Sequence, residues 1–491
     1  MATSKEVAAS RPPQPTPAPA PPADDGRDEI KQVAARNAPA FLISSVVHMV
    51  ILILLGLWFL PLKLPEFVHL ELVNSEVEGD QLDEEPLLIA DDSQAALEEI
   101  LTPDDLTPVD DPFAAPPKLE LTPDGSTASS DIQAPVIGLA LDGREAGSRE
   151  ALLGAYGGTG KTEGAVQLAL AWLAKQQRPD GSWSLRGPYS DGAGVENVAS
   201  ATAMALLAFQ GNGNTHQKGK YKENVDRGIK FLLSLQGEDG NFYHGGPYTH
   251  ALYTHGQCTI VICELYGMTR DGRFKKPAER AVAYCCRAQD KNLGGWKYNP
   301  GDYSDTSVTG WVLMGLQSAR MAGLDVPAET LARVHKYLDA AQAEGGSRYA
   351  YEPGKEPTVV MTAEGLLCRQ YLGWPQNDER LDRGTEYLVQ LENLPKWEDR
   401  NVYYWYYATQ VLHHLEGPRW EKWNNVMREL LPAKQEKSGA EAGSWHPTAG
   451  EPDRWGFQGG RLFVTCLSVY VLEVYYRHMP LYSSGRMTAA N

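Results

Sequence analysis

The most restrictive feature of this chain is a repeat. Two kinds of helical segment alternate from Gly164 to the C-terminus. The first kind reads AVQLALAWLAKQQ, VDRGIKFLLSLQ, AERAVAYCCRAQ, LARVHKYLDAAQ, LDRGTEYLVQLE and WEKWNNVMRELL. Each carries apolar residues at i, i+3, i+4 and i+7, the stripe of a helix that covers a core with one face. Each ends near a glutamine: Gln177, Gln236, Gln289, Gln342, Gln390 and, more loosely, Gln435, at spacings of 59, 53, 53, 48 and 45 residues. The second kind, from VASATAMALLAF to FVTCLSVYVLEVYY, is apolar all round. Such a helix must be surrounded by protein. Six alternating pairs predict an all-α fold, an (α/α)6 toroid with an outer and an inner ring.

A glycine and an aromatic follow most of the glutamines: Gly181/Trp183, Gly240/Phe242, Gly295/Trp296, Gly346/Tyr349 and Gly443/Trp445. The glycines are expected to stop each outer helix with positive φ. The Gln amide can then bond the freed backbone, and the aromatic packs on the next repeat. A role repeated in this way is structural rather than catalytic. The Gln-x-x-x-Gly-x-Trp of Gln177–Trp183 resembles the QW repeat of squalene–hopene cyclases and the wider terpene cyclase/protein prenyltransferase fold, over residues 163–480. Asp305–Ala319, DTSVTGWVLMGLQSA, is similar to the inner-helix starts of that family. The resemblance implies a central cavity opened by the N-termini of the inner helices.

It also implies a proton donor. Cyclases of this type protonate an alkene with an acid inside an Asp-x-Asp-Asp-Thr motif, which requires a carboxyl held protonated by its surroundings. Here the stretch is Asp302-Tyr303-Ser304-Asp305-Thr306, with serine in the donor's place. Asp302 and Asp305 are the remaining catalytic candidates, and Asp305 equally suits a helix cap. Family zinc chemistry is not expected, since no Asp-x-Cys element occurs; neither a metal nor a cofactor is called for. Thioester chemistry has only a faint echo in His255-Gly256-Gln257-Cys258.

Candidate lining residues are the aromatic run Tyr403, Tyr404, Trp405 and Tyr406, together with Glu196, His250, His255 and Glu364 near the inner helices. Aromatic faces can hold a carbocation or a prenyl tail, and can equally stack on sugars or pack as core. Three uses follow: a binding module for a lipid-like, glycan or peptide ligand, a terpenoid cyclase or prenyl-processing enzyme, or an (α/α)6 carbohydrate-active enzyme with two opposed carboxylates.

Upstream, residues 1–37 form a Pro/Ala-rich tail without the means to build a core. Ala40–Leu60 holds 21 residues without a formal charge. At helical rise that spans about 30 Å, so 38–62 is expected to be a membrane span. Lys31 and Arg36 precede it closely, which predicts a cytoplasmic N-terminus and an extracytoplasmic C-terminal domain in a bacterial envelope. Ser44 and His48 share one face of the span. This Ser-x-x-x-His resembles TonB-type anchors and implies an ExbB/ExbD-like channel partner.

The net charge of −18 is concentrated in one place: residues 64–150 contain 22 Asp/Glu against 3 Lys/Arg. Residues 63–160 are read as a solvated, disordered acidic linker, and 161–482 as the toroid. No basic face offers itself to nucleic acid. Within the linker AYGGTGKT matches a loose phosphate-loop pattern, but no strand precedes it. The six cysteines lie in apolar helical runs and are read as buried thiols.

Overall fold

The computed structural model describes residues 141 and 143–482. The expected span, with Ser44 and His48, lies outside them, as do the N-terminal tail and most of the linker. Among the described residues no helix is long and apolar enough to cross a membrane.

A short helix α1 (Ala146–Ala155) leads into the outer helices α2 (Gly160–Lys175), α4 (Lys222–Leu235), α6 (Gly272–Ala288), α8 (Ala328–Ala341), α10 (Glu379–Leu388) and α12 (Gly417–Lys434). The inner helices are α3 (Val198–Gly211), α5 (Ala251–Thr269), α7 (Thr306–Met321), α9 (Val359–Tyr371), α11 (Val402–Leu415) and α13 (Gly456–Leu472), followed by the short α14 (Val474–Arg477). Each inner helix packs on the next, and α13 packs on α3, so the inner ring closes. The outer ring closes through α12 on α2. The fold is a helical toroid, with inner helices buried on nearly every side.

Two features differ from the sequence reading. Residues 141 and 143–155 belong to the folded body: Leu141 and Arg144 are buried and α1 occupies the end of the expected linker. The repeat at Gln342 also forms a small antiparallel sheet of β1 (Gln342–Ala343), β2 (Arg348–Ala350) and β3 (Pro357–Thr358). The phosphate-loop look-alike is a helix entry, with Thr159 capping α2 and helix α1, not a strand, before it. Of the cysteines, five are buried and Cys286 is partly so; all are free.

The turn between outer and inner helix is the joint of the structure. Gln289 Nε2 donates to Gly294 O within its own turn (2.8 Å) and to Thr330 O in the next outer helix (2.9 Å). Gln177 and Gln236 repeat this, reaching Asn224 O and Pro277 O. Gln435 completes the circle by donating to Ala165 O of the first outer helix at 2.7 Å. The indole N–H groups of Trp183, Trp296 and Trp445 donate to carbonyls near the ends of the preceding outer helices, namely Leu173, Cys285 and Leu431. They satisfy acceptors that a terminating helix leaves free.

The turning glycine of the third repeat is Gly294, not Gly295. Gly294 has φ +100°, and a Cβ there would lie 2.2 Å from Arg333 O. Gly295 instead permits close approach to Thr309 and Ser304.

Candidate functional site

The inner helices start at one end of the ring, and residues at and near the starts of α3, α5, α7, α11 and α13 line a cavity of about 220 Å³. The caps repeat. Asn197, Asp305, Thr358 and Asn401 each accept a backbone N–H from the first turn of α3, α7, α9 and α11. This is the ordinary work of an N-cap oxygen.

One wall of the cavity is polar and internally satisfied. Asn197 Nδ2 donates to Thr254 Oγ1 at 2.8 Å, and Ser200 Oγ to Gln257 Oε1 at 2.5 Å. The rest of the lining is largely aromatic: Tyr253, Tyr298, Trp311, Tyr351 and Tyr403. Tyr403 OH accepts from Trp311 Nε1 (3.1 Å) and shares a hydrogen with Ser307 Oγ (2.6 Å). Trp455 and Phe463 of the last repeat add to the lining, in which no Asp, Glu, Lys or Arg occurs among the described residues.

Two buried acids stand one residue behind this lining. Asp305 is fully buried; its Oδ1 accepts from Val308 N at 2.6 Å and its Oδ2 from Tyr351 OH at 3.0 Å. Tyr351 OH in turn meets Tyr298 OH at 2.8 Å, so a hydroxyl chain joins the acid to the cavity surface. Burial pushes the Asp305 carboxyl up to about 7, against the opposing pull of the Val308 N–H and the Lys297 charge. Glu364 on α9 is also fully buried. Neither of its oxygens makes a hydrogen bond of ordinary geometry. Burial raises it well above the usual carboxylate range, although the Tyr407 and Tyr403 hydroxyls lie near enough to favour its charged form.

The residue in the donor's place is turned elsewhere. Ser304 Oγ donates to Asp290 Oδ2 (2.9 Å) and accepts from Gly295 N (3.0 Å), tying the turn together.

Of the expected lining residues, His250 and Tyr403 do face the cavity. The others do not. Glu196 is occupied at the entrance to α3 by Ser184 Oγ, two backbone N–H groups and Arg178. His255 points outward to α6, with Nε2 3.1 Å from Ala281 O and its ring against Tyr284. Tyr404 bonds the carbonyls of Leu388 and Asn393 and packs on Trp423 of the outer ring. Trp405 packs on Trp397. Tyr406 faces the lumen at its other end, near Met314. Asp302 is an exposed rim residue that accepts from Asn299 Nδ2. Successive residues of a helix diverge by about 100°, so a run of aromatics cannot all face one space.

Residues not singled out from the sequence, Tyr298, Tyr351 and Leu185, line the cavity through a regular offset. Each lies two positions after a structural aromatic: Trp296, Tyr349 and Trp183 respectively. In extended chain i and i+2 point the same way, so the repeat aromatic marks its lumen-facing neighbour.

These features define a helical toroid with a closed inner ring and an aromatic cavity at the inner-helix N-termini. Comparison with known proteins finds likenesses to part of the repeat and to its fold. Residues 150–255 match the squalene–hopene cyclase C-terminal domain. A curated relative, the squalene–hopene cyclase of Zymomonas mobilis subsp. mobilis, is 30% identical over 129 residues, which cover 24% of this chain and 19% of that enzyme. Residues 150–255 are thus similar to the squalene–hopene cyclase C-terminal domain, and the chain spans about a fifth of the curated relative's length. Among solved structures, an alpha-1,6-mannanase of Salegentibacter sp. HEL1_6 is similar at 12% identity and a TM-score of 0.47, covering 64% of this chain and 98% of that one. The type II terpene cyclase MstE from Scytonema, bound to geranylgeranyl dihydroxybenzoate, is similar at 13% identity and a TM-score of 0.45, covering 65% and 97%.

Proposed function

We propose that this toroid binds a small, uncharged ligand, or the uncharged end of a larger one, in its aromatic cavity. Proton-initiated cyclisation is not its primary use. The observation that carries the reading is the absence of any carboxylic acid from the cavity lining among the described residues. Serine replaces the central acid at Ser304 and is committed to Asp290. Asp305 fills a cap position that other repeats fill with Asn197, Thr358 and Asn401, none of them charged. The cavity, at about 220 Å³, is also below the roughly 300–1,000 Å³ of drug-sized sites. That volume suits a sugar ring, an amide-bearing side chain or a short apolar chain end.

The test is direct. Trp311 and Trp455 line the cavity, so ligand entry changes their emission. Titration of the full chain with neutral glycans, peptides and short prenyl alcohols is expected to give a saturable response that Tyr403→Ala removes. Turnover of a prenyl substrate, abolished by Asp305→Asn, would refute the reading. That outcome is the second reading, a terpenoid cyclase or prenyl-processing enzyme, and one observation favours it: Asp305 is buried, raised to about 7, and linked through Tyr351 to Tyr298 at the cavity wall. A carbohydrate-active enzyme with two opposed carboxylates draws no support from the lining.

The envelope setting is part of the same proposal. The uncharged run 40–60 supports a single-pass anchor with an extracytoplasmic toroid, and Ser44 with His48 supports an ExbB/ExbD-like channel partner. Photocrosslinking from position 48 is expected to capture a channel subunit, and capture of this chain alone would overturn the coupling.

A further inference from the structure

The opposite end of the lumen, where the inner helices finish, holds a second and much smaller cavity of about 40 Å³. Room of that size takes a few water-sized groups or a single ion, not an organic ligand. Two histidines face it. His414 of α11 is almost fully buried, and neither of its ring nitrogens has a hydrogen-bond partner among the described residues. His478, just past α14, lacks a partner at Nε2. Their ring centroids are 6.1 Å apart at an interplanar angle of 78°. Two imidazoles that share an ion at about 2 Å each have ring centres roughly 5–6.5 Å apart.

Three methionines line the same small space: Met314 and Met321, two turns apart on one face of α7, and Met479 beside His478. The full sequence has only ten methionines, so three at one cavity is a concentration. Arg477 also borders the space, and its guanidinium is paired with Glu264 and Glu473. The one carboxylate in the lining, Glu264, is already taken by Arg144 at 2.7 Å and Arg477 at 3.2 Å.

We infer that this cavity is a binding site for one soft monovalent metal ion, Cu(I) by its donor chemistry, held by His414, His478 and thioethers of Met321, Met479 and Met314. Thioether and neutral imidazole favour Cu(I) among biological metals. Calcium and magnesium need several free oxygens, which this lining does not offer. Structural zinc takes four donors from Cys, His and acids. Among the described residues no group of three or more His, Cys, Asp or Glu could hold a metal, so only the methionines can complete a shell here.

The experiment uses the metal-free full chain, titrated anaerobically with Cu(I) alone against a chromophoric Cu(I) chelator. One equivalent is expected to stay with the protein, with X-ray absorption reporting nitrogen and thioether sulfur. His478→Gln and the volume-conserving Met321→Leu are each expected to weaken retention about tenfold or more, with melting of the metal-free forms checking that the fold is kept. Three results would overturn the site: no retention by the wild-type chain, a thiolate signature from the buried cysteines, or unchanged retention in both folded variants. Should ordered water alone satisfy His414 and His478, the first result is the one obtained.

Discussion

Asp305→Asn tests whether the cap acid is held protonated by its surroundings. The carboxyl starts from a value of 3.8 when exposed and stands at about 7 in the folded chain. The folded state therefore keeps a proton that the unfolded state releases between those values. Stability from this group is greatest below about pH 4, falls as pH rises, and levels off above about pH 7. A shift of about 3 units corresponds to roughly 4 kcal/mol across the whole window, and about 3 kcal/mol of it falls between about pH 5 and pH 8.

Asparagine has the shape of the protonated acid. Its oxygen can still accept from Val308 N, and its amide can donate to Tyr351 OH, so the cap survives. Urea unfolding of both proteins at the two pH values gives four stabilities. The wild type is expected to lose about 3 kcal/mol more than the variant on going to the higher pH, and the variant becomes the more stable protein there. Other raised acids with no link to Asp305, such as Asp453 at about 6, change both proteins alike and cancel in the double difference. A double difference below about 0.5 kcal/mol would refute the account, since it would mean that the carboxyl is charged in the fold or solvated through the cavity.

Gln289→Ala removes two donated bonds that tie the third turn to the next outer helix, and a third accepted from Arg333 Nε at 2.7 Å. Equilibrium unfolding is expected to show a loss of about 2–3 kcal/mol, because buried carbonyls are left without donors. Gly310→Ala places a Cβ 2.1 Å from Glu364 Oε1 at the contact of α7 and α9. It is expected to cost about 1–3 kcal/mol by overpacking. Thermal melting of Gly310→Ala combined with Glu364→Ala should recover most of that loss, and no recovery would place the strain elsewhere.

The ring was legible because amphipathic period separates a covering helix from a surrounded one, and six pairs leave few other ways to bury so much inner surface. The cavity was less legible, for two reasons. Helix faces decide what an aromatic run does: of Tyr403, Tyr404, Trp405 and Tyr406, only the first reaches the upper cavity, while Tyr404 serves the outer ring. Partners from other repeats then decide what an acid does. Nothing near Asp305 in the chain specifies Tyr351, which arrives from 46 residues away and links the carboxyl to the cavity wall. Nor does the stretch around Glu364 specify Tyr403 and Tyr407.

Comparison among the repeats themselves recovers part of this. A position held by Asn197, Asp305, Thr358 and Asn401 has one common demand, an oxygen aimed at a helix N-terminus. Charge is not part of that demand. An acid at such a position either keeps a proton or gains a second role, and the two differ in one respect: only the second role needs a path from the carboxyl to the cavity. Tyr351 and Tyr298 are that path, so Tyr351→Phe, which cuts it while leaving the cap in place, separates a proton held for packing from a proton held for use.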